Sequence, residues 1–105
     1  MKNYITVYTT VSSTEEAKKI SCGLVETKLA YCVNTIPSIQ STYHWDGKLC
    51  VDDELLLIIK TKEEKFLMLK DWILKNHSYD IPEVIALPIV KGSSGYLKCI
   101  DDWVG

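Results

Sequence analysis

The hydrophobic pattern switches period several times along the chain. Tyr4 to Val11 is a run of β-branched and aromatic residues, the composition of a strand. Ser13 and Glu16 then stand at capping-box spacing, and Ala17, Ile20, Leu24 and Val25 follow at helical spacing, which predicts a helix ending near Lys28. From Tyr31 to Trp45 the residues read as a long strand interrupted at Pro37, where a bulge or an edge position is expected. Asp46-Gly47 predicts a tight hairpin turn, and the return strand runs from Leu49 through Leu55-Leu56-Leu57-Ile58-Ile59. Five successive aliphatics predict a strand covered on both faces. Thr61 and Glu64 form a second capping-box pattern, and Phe66, Leu69, Trp72 and Ile73 predict a helix that stops at Asn76-His77. Beyond Pro82, Glu83 to Ile89 reads as a short last strand. Gly92-Ser93-Ser94-Gly95 breaks it, before a short amphipathic helix carrying Tyr96, Leu97, Ile100, Trp103 and Val104.

The order strand, helix, strand, strand, helix, strand predicts an α+β, ferredoxin-like β-α-β-β-α-β sandwich with a long β2-β3 hairpin and a short C-terminal helix. Two helices on one face of the sheet leave the other face bare. The hairpin arms approach about 15 residues, against about 5–6 for an ordinary strand. One small domain cannot cover arms of that length, so the tip should project. Tyr43 and Trp45 near the tip, and Pro37 at the interruption, are the expected contacts with another copy of the chain.

The length of 105 residues suits one domain, 1–105, and the 47% hydrophobic content argues against disorder. Net charge is -2, and Lys supplies every positive charge, with no Arg. A nucleic-acid partner, which would call for a basic stripe and bidentate Arg contacts, is not expected. Neither is a membrane partner, since no run approaches the ~20 apolar residues needed to span one. Cys22, Cys32, Cys50 and Cys99 form no C-x-x-C pair. With no recognisable secretory signal, they read as reduced thiols, and the expected compartment is the cytoplasm.

Four co-linear segments carry a resemblance. They are Glu26 to Pro37, Tyr43-x-Trp45-x-Gly47-Lys48, Ile59-Lys60-Thr61, and His77-Ser78-Tyr79-Asp80-Ile81-Pro82-Glu83-Val84-Ile85-Ala86-Leu87-Pro88-Ile89. Together they cover nearly the whole chain, which resembles the CutA divalent-cation tolerance family. The resemblance implies a homotrimer similar to PII signalling proteins, with long hairpins packing across subunits, and a role in tolerance of copper or another divalent cation. Two departures stand out. The family's usual His-Pro-Tyr-Glu is His77-Ser78-Tyr79-Asp80 here, and the first-loop cysteine proposed as a copper ligand in some bacterial members is absent from Thr9-Thr10-Val11.

The candidate metal ligands are Cys32, His77 and Glu83, combining a thiol and an imidazole suited to copper or zinc with a carboxylate suited to harder ions. Plain structural readings stand beside them: Cys32 as a buried strand residue, His77 as the close of a helix. Lys28, Lys60, Tyr79 and Asp80 are candidates to line a ligand cleft between subunits, where a small ligand or a partner protein would sit. The segment Gly92 to Gly95 lacks the Lys of a phosphate loop, and no local nucleophile signature is present, so an enzyme is not expected.

Overall fold

The computed structural model describes residues 3–105. Seven main elements follow in order: β1 (Tyr4–Val11), α1 (Thr14–Glu26), β2 (Cys32–Trp45), β3 (Lys48–Lys62), α2 (Phe66–Asn76), β4 (Ile85–Ile89) and α3 (Ser94–Val104). The strands form one antiparallel sheet in the order β2-β3-β1-β4. This is the ferredoxin-like arrangement that the element order predicts.

Strict alternation in β1 sends Ile5, Val7, Thr9 and Val11 to the helix-covered face. There they join Leu57 and Ile59 of β3, Ala17, Ile20 and Leu24 of α1, and Leu69 and Ile73 of α2 in one core. At Gly23, where α1 crosses α2, a Cβ would lie 2.3 Å from Cη2 and Cζ2 of the Trp72 ring. Replacing Gly23 by Ala should therefore destabilise the fold. Overpacking costs about 1–3 kcal/mol, while the gain in helix propensity returns only about 1 kcal/mol. Urea denaturation should show a lower midpoint with an unchanged slope.

Ser13 caps α1 by accepting from the Glu16 N–H at 3.1 Å. The second capping pattern does not form. Thr61 and Lys62 stay in the ladder opposite Ile5 and Tyr4, and the buried Thr61 hydroxyl donates to the Leu29 carbonyl at 2.7 Å. Sheet pairing takes the residues a local cap would have used. The chain enters α2 through a 3-10 turn at Glu63–Lys65 instead.

The hairpin arms have 14 and 15 residues, joined by Asp46 and Gly47 at φ of 51° and 74°. Both angles are left-handed, the geometry that lets a two-residue turn follow the twist of the strands. Pro37 lies in a bulge on an edge strand: two residues, 37 and 38, face one on β3, and Ser38 takes φ 60°.

The second sheet face is covered only at one end. There α3 anchors through Asp101, which accepts from the Tyr4 hydroxyl at 2.8 Å and pairs with buried Lys62 at 3.4 Å. The rest of that face presents Thr6, Tyr8, Thr10, Leu56, Ile58, Ile36, Ile85 and Leu87, all partly or fully open to solvent. The aliphatic run of β3 is thus covered fully on one face only, at Leu57 and Ile59, within a single chain. Since α1, α2 and α3 leave Leu56 and Ile58 partly open, the expected second cover does not come from the chain itself.

Candidate functional site

β1 ends at Val11 opposite Leu55, so β2 and β3 run on without a third strand from Ile39 and Glu54 to the tip. That extension rises about 3.3 Å per residue, and it gives the molecule its long axis of 44 Å. Tyr43, Trp45, Leu49 and Val51 on it are exposed, Leu49 by 77%. The Tyr43 phenol donates to Asp52 across the strands, and this bond pushes its pKa up to about 12.

At the hairpin root the turn after α2 returns toward β4. His77 leads it, with a side chain 0% exposed. Nδ1 accepts the Tyr79 N–H at 3.0 Å, which leaves Nε2 as the protonated nitrogen, donating to the Thr10 carbonyl at 2.8 Å. Both ring nitrogens are therefore committed, and a metal at His77 would first have to displace one of these bonds. Ser78 donates its N–H and its hydroxyl to the Glu16 carboxylate, at 2.7 and 3.1 Å. Burial alone would raise the Glu16 pKa, but the Ser78 bonds and the neighbouring His77 hold it below the usual range. A Pro at position 78 would have no N–H to give, so the departure from the family's usual motif is built into this contact.

Tyr79 crosses to the hairpin and donates to Glu54 at 2.6 Å. Burial, then this bond, raises the Tyr79 pKa, so the phenol stays protonated as the donor. Glu54 is only 7% exposed. Together with Tyr43, Trp45, Asp80 and Glu83 the pair lines a cavity of about 690 Å³ between the hairpin root and the 79–83 turn. Burial, then the charge on Glu54, raises the Glu83 pKa. The fold thus disfavours ionised Glu83, a cost absent at low pH and fully present once pH has risen through its raised pKa.

The predicted residues fall into two groups. Tyr79, Asp80, Glu83, Tyr43 and Trp45 meet at the cavity. Cys32 and Lys60 are partners in the β2-β3 ladder, four residues along β3 from the Leu56 that pairs with Thr10. Lys60 bonds Asn34 there, and Lys28, at φ 62°, places Nζ 4.8 Å over the Trp103 ring. Neither Lys28 nor Lys60 lines the cavity at the hairpin root, because spacing along the chain does not tell which end of the sheet a strand residue occupies. Cys32, His77 and Glu83 are not gathered: among the described residues no three His, Cys, Asp or Glu side chains form a metal cage. Sequence reasoning missed Glu54. Its signal was a carboxylate at the head of the Leu55–Ile59 run, where an apolar side chain would be expected.

A four-stranded antiparallel sheet with two helices on one face, a projecting hairpin and an acidic cavity at its root defines a ferredoxin-like α+β protein built around an extended hairpin. The family model "CutA1 divalent ion tolerance protein" matches residues 5–103, and the chain belongs to that family. A chloroplastic CutA protein of Arabidopsis thaliana is 50% identical over 94 residues, 90% of this chain and 52% of that protein. The divalent-cation tolerance protein CutA of Archaeoglobus fulgidus is 42% identical over 104 residues, 99% of each chain. The crystal structure of CutA1 from Oryza sativa superposes with a TM-score of 0.95 at 44% identity, over 98% of this chain and 94% of that one. The chain thus spans about half the length of the plant relative and nearly all of the archaeal one.

Proposed function

We propose that the protein acts as a homotrimer in divalent-cation tolerance and holds copper or another divalent cation where subunits meet. The observation that carries the trimer is the sheet face left open between α3 and the hairpin, together with exposed Tyr43 and Trp45 beyond it. An apolar face of this kind is a cost in a monomer and an interface in an oligomer. The cation reading rests on the family's printed description and on the acidic cavity. One chain brings no three ligand side chains together among its described residues, so a cage of three or more draws them from neighbouring copies. Glu83, whose charge the fold leaves poorly compensated, is the candidate ligand from each subunit.

A second reading has a small ligand or a partner segment in the same cavity. The aromatic walls of Tyr43, Trp45 and Tyr79 favour it. Glu54, Asp80 and Glu83 make that ligand a cationic one, in place of the anionic ligand that Lys28 and Lys60 would have suited.

Equilibrium dialysis against zinc and copper(II) tests the first reading. The assembled protein should bind a stoichiometric ion, and Glu83→Gln should weaken it by roughly tenfold or more. An assembled protein that binds neither ion would overturn the proposal, as would a monomeric variant that binds as well as the assembly.

A further inference from the structure

The cavity at the hairpin root has a charged end and an apolar wall. Ser41, Tyr43 and Trp45 alternate onto one side of β2 and all line it, so it follows the hairpin for about 13 Å at ~3.3 Å per residue. At the root end stand Glu54, Asp80 and Glu83, and the lining holds no basic side chain to neutralise them. Ile81 of the 79–83 turn lines the cavity as well; it is 72% exposed and Trp45 is 53% exposed, so hydrocarbon lies open on both the hairpin and the turn. Both phenols are committed as donors, Tyr43 to Asp52 and Tyr79 to Glu54, which leaves their ring faces to meet a guest. Glu54 is the buried acid, only 7% exposed. Its Oε2 accepts from Tyr79, and no described residue donates to Oε1. A carboxylate this deeply buried ordinarily has donors for both oxygens. The missing donor has to arrive through the cavity.

A bare metal ion would use little of this space. It gains nothing from apolar walls, and a cavity of about 690 Å³ has the size that holds a small organic molecule, roughly 300–1,000 Å³. We infer that the cavity takes a primary alkylammonium ion, its N–H groups donating to Glu54 Oε1 and its hydrocarbon chain lying along Tyr43, Trp45 and Ile81. A charge-assisted hydrogen bond holds the head, the ring faces attract the positive charge, and burial of the chain adds to both. A quaternary ammonium has no N–H for Oε1, and a neutral alcohol has no charge for the three carboxylates. The inference rests on the second reading of the cavity, a cationic ligand, and names the class of that ligand.

The test is isothermal titration calorimetry of the unaltered protein with n-hexylammonium chloride at about pH 7, where an alkylamine is protonated. One ion per subunit is expected. Shortening the chain to butyl and then ethyl should weaken binding roughly threefold for each methylene removed. 1-Hexanol should bind about tenfold more weakly than hexylammonium, and tetramethylammonium about tenfold more weakly than butylammonium, which has as many carbons. Glu54→Gln, which keeps an oxygen for the Tyr79 hydroxyl, should weaken hexylammonium by about tenfold or more. Glu26→Gln, at the exposed end of α1, should leave it unchanged. Tetramethylammonium binding as tightly as hexylammonium would overturn the primary head and leave a cationic cavity in place. No binding of either cation would remove both the inference and the reading beneath it. Affinity that ignores chain length, or that survives Glu54→Gln, would overturn the site as assigned.

Discussion

The Ile58→Glu protein is expected to sediment as a single subunit. Ile58 lies in the middle of the open sheet face, between Tyr8 of β1 and Asn34 of β2. In the proposed trimer that face is buried against a neighbour. A carboxylate placed there has no opposite charge directly across from it on either strand, and burying an unpaired ion costs several kcal/mol. That is a large part of what holds an ordinary interface together. Its effect on the folded chain is smaller, because the side chain in one copy stays partly solvated. Leu74→Glu is the matched control: Leu74 is 47% exposed on the outer surface of α2, and its variant should keep the mass of the parent. Sedimentation velocity of the two variants side by side separates an interface on the open face from a general sensitivity to added charge. Equal masses for both variants would remove the open face from the interface.

His77→Ala should lower stability by roughly 3 kcal/mol, the largest effect expected of any residue in the 77–83 turn. The substitution leaves the Thr10 carbonyl and the Tyr79 N–H without their partners, each costing about 1–3 kcal/mol where water is excluded, and opens a cavity besides. The loss should reach the cavity at the hairpin root, because Tyr79 is positioned by its N–H bond to His77 and in turn holds Glu54. A ring contact of 4.7 Å between His77 and Tyr79 goes with it. Chemical denaturation should show the lower midpoint, and zinc binding by the folded subunit should weaken alongside it as the cavity loosens. Retained stability with lost zinc would make His77 a ligand and not a support.

Much of the fold was legible because its signals are local. The alternation in β1, the Ser13 cap, Asp46-Gly47 and the bulge at Pro37 each depend on a few neighbouring residues, and the structure realises all four. The second capping pattern failed for an equally physical reason. Thr61 and Lys62 had ladder partners in Ile5 and Tyr4, more than fifty residues away, which no window around Thr61 contains. The candidate site shows the same divide. Tyr79, Asp80 and Glu83 share a short turn and so stay together. Glu54 joins them only because the turn folds back over the hairpin, and Lys28 and Lys60 leave because they lie toward the α3 end of the sheet.

The central claim is that the open sheet face and the long hairpin are built for assembly with two further copies. Sedimentation equilibrium of the unaltered protein, across the micromolar range, tests this most directly. The mass should be three times the 11.9 kDa of one chain and independent of concentration over that range. A mass of one chain throughout would contradict the account, since the apolar face and the exposed hairpin aromatics would then stand in water without a partner.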